Sequence, residues 1–178
     1  MPTATFYLLS PPDPADDTER PGLTPEHEQQ ARENKDSDTQ KRDTQIIVAT
    51  AIELAFYYYQ QGQRIYLAAH DQAQAHQLDD LLWQRDPDVF LPHNLVGEGP
   101  RGGAPVEIGW PGVRHTGHRS VLINLATEPS NFAPSFAQVV DFVPCDETLK
   151  QHARHRYKAY RLAGLQLHTL AIDQSPKP

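Results

Sequence analysis

Seven short runs of aliphatic and aromatic residues punctuate this chain of 178 residues: ATFYLL (4–9), RIYLAA (64–69), VFLPHNL (89–95), VEIGW (106–110), SVLINLA (120–126), VVDFVP (139–144) and LQLHTLAI (165–172). Each is too short for a helix and rich in the residue types that suit a pleated surface. Between several of them the spacing turns helical. In QIIVATAIELAFYYYQQG the apolar positions Ile47, Ala51, Leu54, Ala55 and Tyr58 share one face, and Gly62 stops the pattern. DQAQAHQLDDLLWQ (71–84) and DETLKQHARHRYKAYRLAG (146–164) read as two more helices, with Asp71 and Asp146 as N-caps and Gly164 as the end of the second. Strands alternating with helices predict an α/β domain, three layers deep, around a mainly parallel sheet.

The exception is the stretch from Ser10 to Asp43, whose apolar residues are Ala15, Leu23 and Ala31 alone. It cannot bury enough apolar surface to offset its ordering entropy, so it reads as a flexible or weakly helical acidic insertion, 10–43, with order returning at Thr44. The last residues, 173–178, read as a frayed tail of a single domain spanning 1–178. Residues 11–43 carry ten acids against five bases, whereas the remainder carries thirteen against eleven. The folded part is therefore nearly neutral, and duplex DNA is a poor direct ligand. One cysteine, Cys145, excludes an intrachain disulfide and suits a reducing compartment. No run approaches the ~18 apolar residues of a membrane helix, and the N-terminal apolar run lacks a basic flank. A soluble cytoplasmic protein is expected.

PHNLVGEGPRGGAPVEIGWP (92–111) holds five glycines and four prolines, with Gly97, Gly99 and Gly102 in the Gly-x-Gly-x-x-Gly spacing of a dinucleotide cradle. Such a cradle follows a strand and opens a helix, so that phosphate meets the helix N-terminus. Here the glycines lead into the strand VEIGW, and no Gly-Lys-Ser/Thr follows. The loop reads as a tight turn whose glycines supply positive φ, with Arg101 as an exposed anion contact and no bound nucleotide or other cofactor. A small nucleotide-dependent enzyme is the alternative this loop leaves. His152 and His155 lie three apart on a helix, and His115 and His118 lie in a polar loop, all without ligand partners in the sequence; no metal is expected. Cys145 sits at a helix N-terminus, where a thiolate is favoured, but nothing assembles a nucleophile, base and oxyanion hole.

Helix 146–164 carries the strongest signal. At 100° per residue Lys150, Arg154, Tyr157, Lys158 and Arg161 fall within about a third of the circumference, four cations around one tyrosine, and no acid is expected within the stripe to neutralise them. Leu149, Ala153, Tyr160 and Ala163 fall on a face suited to the core. A positive stripe on an acidic protein suits a short acidic peptide, with Tyr157 and Val143 gripping an apolar anchor. Single-stranded nucleic acid competes, because tyrosine and arginine stack bases. Trp83 and Phe90 flank the polar QRDPD, and the sequence leaves core and interface roles open for both.

FVP-x-D-E-x-L-K (142–150), AR-x-RYKAYR-x-AG (153–164) and PHNL-x-GEGPRGGAPVEI-x-W (92–110), with TFYLL (5–9), DDLLW (79–83) and VVDFVP, resemble the chi subunit of bacterial DNA polymerase III holoenzyme. The likeness spans 1–9 and about 44–172. It implies a Rossmann-like fold without a nucleotide, and a non-catalytic accessory subunit of the clamp loader assembly. It implies a heterodimer with the psi subunit, which links to the clamp loader. It also implies a site for the acidic, phenylalanine-ended C-terminal tail of single-stranded DNA-binding protein, so that DNA contact is indirect. Carried over by position, the tail site comprises Val143, Lys150, Arg154, Tyr157 and Lys158; the stripe adds Arg161. Phe90 falls in a surface shared by psi and a helicase-like repair partner, and Trp83 beside it. Two features depart from the family pattern: the insertion is longer than the usual connection, and Cys145 replaces an aromatic.

Overall fold

The computed structural model describes residues 1–12 and 24–178. Among them seven strands form one sheet: β1 (Thr3–Leu8), β2 (Ile65–Ala68), β3 (His93–Leu95), β4 (Val106–Gly109), β5 (Val121–Asn124), β6 (Gln138–Val143) and β7 (Gln166–Ala171). Their order is β3-β4-β2-β5-β6-β1-β7, and every pairing is parallel. VEIGW and SVLINLA, consecutive in sequence, are therefore not neighbours: β2 lies between them. Of VFLPHNL only His93–Leu95 pairs, because Pro87–Val89 closes a 3-10 turn first.

Helices α1 (Pro25–Gln60) and α2 (Gln72–Trp83) cover one face, and α3 (Glu147–Leu162) covers the other. Side-chain alternation divides the strands accordingly. Ile65, Leu67, Val106, Ile108, Val121, Ile123, Val140 and Phe142 meet α1 and α2. Ala4, Phe6, Tyr66, Leu122 and Val139 meet α3 and the loop residues Ala133 and Phe136. Burial on both faces is why the strands read as near-continuous apolar runs. Asp71 and Asp146 cap as expected, accepting from the backbone N–H of Gln74 and Leu149, and Gly62 and Gly164 take positive φ at the helix ends.

Order begins earlier than expected. Residues 13–23 lie outside those described, but α1 begins at Pro25, not at Thr44, so the 25–43 part of the insertion is helical. Proline at the first position, Glu26 and Glu28 in the first turn and a run of Glu, Gln, Ala, Arg and Lys favour a helix without any burial. Nearly all of this half is exposed; Asp43 is the first buried residue of α1. Of the two expected states, flexible or weakly helical, 25–43 takes the helical one, because intrinsic propensity acts where apolar burial is absent. The C-terminal tail also differs: Ile172–Gln174 close a 3-10 turn, and Ser175 is buried.

A buried ionic network ties α3 to the sheet. Arg156 donates to both Asp141 carboxylate oxygens from Nε, at 3.1 and 2.9 Å, and to Oδ1 from Nη2 at 2.8 Å. It also reaches the carbonyls of Thr127 and Phe142. Asn124 Nδ2 and the Phe142 N–H complete the shell around Asp141. Burial opposes the charge on Arg156, but Asp141 outweighs it and raises the guanidinium pKa above its ordinary value.

Candidate functional site

The glycine loop can be judged by the direction of its polar groups. Gly97, Gly102 and Gly103 have positive φ. Arg64 donates to the Gly102 and Gly103 carbonyls, and Arg119 to those of Ala104 and Pro105. The Gly103 N–H goes to the Pro100 carbonyl, and the Ala104 N–H to Asn94 Oδ1. Two arginines thus grip the loop by its carbonyls, and these amides are spent internally. A phosphate needs free amides converging on it, so this loop has the opposite polarity. Arg119 in turn is buried against Glu107, at 3.3 Å, which makes the loop a structural clasp.

His115, expected to lie free in a polar loop, packs against Tyr66, Phe132 and Phe136, with ring centroids 5.6, 5.4 and 5.0 Å away. Its Nδ1–H donates to the Gly117 carbonyl, which leaves Nε2 buried without a partner. Desolvation lowers its pKa; Arg114 and Arg119 push the same way, and Gly117 and Glu107 oppose. The folded state therefore binds this proton less readily than the unfolded chain. The contribution is fully present above the unfolded value of about 6.5 and is lost as pH falls toward the depressed folded value. Thermal melts of wild type and His115→Asn between pH 7.5 and 5 test this: wild type loses more stability with acid than the variant.

Cys145 is no thiolate. Burial pushes its thiol up first, and the Asp43 carboxylate adds to the shift; Sγ donates toward the Leu9 carbonyl. A poised nucleophile needs the reverse.

The α3 stripe holds a pocket. Phe6 of β1, Val143 at the end of β6, and Ala153, Arg154, Tyr157 and Lys158 of α3 line a hollow of about 190 Å³ with an apolar wall. Phe6 is fully buried and forms its floor, its ring 5.2 Å from that of Tyr157. Ala153 opens the space, since a larger residue there would fill it. A dry cavity of about 150 Å³ already admits benzene, so the hollow accepts a phenyl ring. Arg154 and Lys158 stand exposed at its rim. Val143, Arg154, Tyr157 and Lys158 of the expected set thus converge.

Lys150 and Arg161 do not join them. Lys150 lines a second hollow that shares Val143 with the first, and Cys145 borders this second one. Arg161 is exposed in the last turn of α3 and borders neither. The stripe also contains an acid. Glu147, one turn before Lys150, lies 3.7 Å from Lys150 Nζ and 3.3 Å from Arg154 Nη1. At 100° per residue Glu147 lies about 60° from Lys150, inside the stripe, so the expectation of an acid-free face fails in the first turn. Such exposed pairs are worth roughly 0–1 kcal/mol and yield to a better anion. Of the face assigned to the core, Ala153 and Tyr160 are buried, but Ala163 is exposed; Arg156 takes the buried place instead.

Phe6 could have been found from strand parity, since Ala4 and Phe6 must share a face. Arg156 could not, because its partner lies on β6 and only the fold brings it near.

The second candidate surface lies toward the opposite side of the sheet. Trp83 is 62 % exposed and Phe90 45 %, and their rings lie 5.8 Å apart. His93 of β3 packs edge-on against Trp83, ring centroids 4.9 Å apart, and tilted against Phe90, 6.3 Å away. Neither ring belongs to the core. The patch sits by edge strand β3, with three strands between it and β6, and four strand spacings are roughly 20 Å.

Comparison with known proteins supplies the family. The sequence model of the DNA polymerase III chi subunit, HolC, matches residues 1–168.

The chain belongs to the DNA polymerase III chi subunit family.

DNA polymerase III subunit chi of Escherichia coli is 48% identical over 134 residues, 75% of this chain and 91% of that protein. The chi subunit of Haemophilus influenzae is 44% identical over 126 residues, 71% of this chain and 88% of that protein. That of Pseudomonas aeruginosa is 36% identical over 125 residues, 70% of this chain and 86% of that protein. Membership in the chi family makes the chain a replication accessory subunit. Among solved structures T4 UvsW shares the fold, with a TM-score of 0.55 and 13% identity over 96% of this chain and 41% of that one. Among the described residues no helix is long and apolar enough to cross a membrane.

Proposed function

We propose that this chi-family subunit is a non-catalytic adaptor that captures the acidic, phenylalanine-ended C-terminal tail of single-stranded DNA-binding protein in the Phe6–Tyr157 pocket. The observation that carries this reading is an apolar hollow of phenyl size, about 190 Å³, rimmed by the cations Arg154 and Lys158. The terminal ring fills the hollow against Phe6 and Tyr157. Arg154 and Lys158 take the terminal carboxylate, a charge-assisted contact stronger than those to the exposed acids upstream. The buried ring and this contact dominate affinity.

The Trp83–Phe90–His93 patch is the docking surface for a second protein, the psi subunit, through which the chain reaches the clamp loader. A helicase-like repair protein would compete for the same rings. Trp and Phe in an exposed cluster are the anchors such interfaces use. The distance between the two surfaces lets both partners bind at once. DNA is reached through its binding protein.

Co-elution on gel filtration tests the adaptor. Intact single-stranded DNA-binding protein carries the chain with it, and the same protein lacking its last ten residues does not. Raised salt weakens the complex. Co-elution with the truncated protein would refute tail capture. The double variant Trp83→Ala/Phe90→Ala is expected to lose psi by at least tenfold and to keep the tail peptide unchanged, read by calorimetric titration of each.

A further inference from the structure

We propose that the tail-binding surface extends past the α3 pocket into the hollow between α1 and α3, so that residues 35–39 of the insertion helix contact peptide upstream of the terminal aromatic; this rests on the tail reading above. The second hollow, about 510 Å³, opens at Val143, the residue it shares with the first. Leu8, Pro11 and Pro12 wall one side, Lys35 and Thr39 of α1 another, and Lys150 of α3 a third. An extended peptide covers about 3.4 Å per residue, so ten residues reach well beyond the first pocket.

The α1 wall is held in place. Asp43, fully buried, accepts the N–H groups of Cys145 and Asp146 on Oδ2, at 2.8 and 2.9 Å, just ahead of α3. Arg42 donates to the Ser10 carbonyl at 3.0 Å. These contacts pin α1 to the exit of β1 and to the start of α3, the two other walls. Without such ties an exposed polar helix would present no defined surface.

The charges on this lining are mixed, so the path rests on its continuity with the ring pocket at Val143. Lys150 and Lys35 are the lining's cations, and Asp36, Asp146 and Glu147 are its acids, with Lys150 3.7 Å from Glu147. Asp36 is exposed on α1, away from the ring pocket, so it can be changed without touching the first site. Reversing it removes a repulsion and adds an attraction for acidic residues passing through the second hollow.

Two labelled peptides separate the hollows: a ten-residue acidic peptide ending in Phe, and a three-residue one with the same end. Both are titrated by anisotropy into the full chain. Asp36→Lys is expected to tighten the long peptide several-fold at low salt and leave the short one unchanged. Thr39→Trp, which fills the hollow, is expected to weaken the long peptide about tenfold and spare the short one. The proposal is overturned if neither variant changes the long peptide, or if Arg161→Glu takes the loss instead, which would place upstream residues along the other end of α3. If wild type binds neither peptide, the tail reading itself fails. A gain from Asp36→Lys cannot arise from misfolding.

Discussion

Asp141→Ala lowers the unfolding free energy by about 3–5 kcal/mol, because it strands a buried guanidinium. Arg156 then keeps its contacts to the Thr127 and Phe142 carbonyls but loses three hydrogen bonds and its counter-charge. It cannot shed its proton to escape, as a carboxylate would by gaining one. At roughly 2–4 °C per kcal/mol for a chain of this size, the midpoint falls by about 6–20 °C. The double variant Asp141→Leu/Arg156→Met recovers much of the loss, since a packed apolar pair replaces the ionic one. Thermal unfolding of the three proteins checks this. Additive losses in the double variant would show that the two side chains do not act as a pair.

Tyr157→Ala removes a wall of the ring pocket and should cost tail binding about 2 kcal/mol, roughly 30-fold in Kd. Tyr157 is half-buried and packs on Phe6, and Phe6 retains Tyr160, 6.0 Å away, as a second aromatic neighbour. The domain therefore stays folded. Titration calorimetry with the acidic peptide measures the loss, and circular dichroism shows the fold intact. Tyr157→Phe keeps the ring and is expected to retain affinity. A loss in the phenylalanine variant equal to that in the alanine variant would shift the explanation from packing to the hydroxyl.

Much of this was legible because it is periodic. The strands are short apolar runs, α2 and α3 announce themselves by caps and spacing, and the cation stripe is one face of α3. These are local properties, carried by residues within a turn or two of each other. What stayed hidden was either non-periodic or long-range. The first half of α1 has no apolar stripe, so its helix rests on residue propensity and on the Asp43 anchor to the N–H groups of Cys145 and Asp146. Arg154 and Arg156 look alike in RHR, yet one stands at a pocket rim and the other is buried; the difference is Asp141, fifteen residues earlier in the chain. Phe6 reaches the site from β1 only because β6 pairs beside it. The glycine spacing mimics a phosphate cradle; the strand that follows it already argues against one in the sequence, and what the sequence does not show is the grip of Arg64 and Arg119 on the loop's carbonyls.

The central claim is that the α3 pocket receives an acidic tail ending in phenylalanine. Fluorescence anisotropy of a labelled acidic peptide ending in Pro-Phe, titrated with wild type and with Arg154→Ala side by side, tests it most directly. Saturable, salt-sensitive binding by wild type that is lost in the variant is the expected result. Equal binding by both, or none by wild type at low salt, would contradict the account and leave the stripe a solvated helix face.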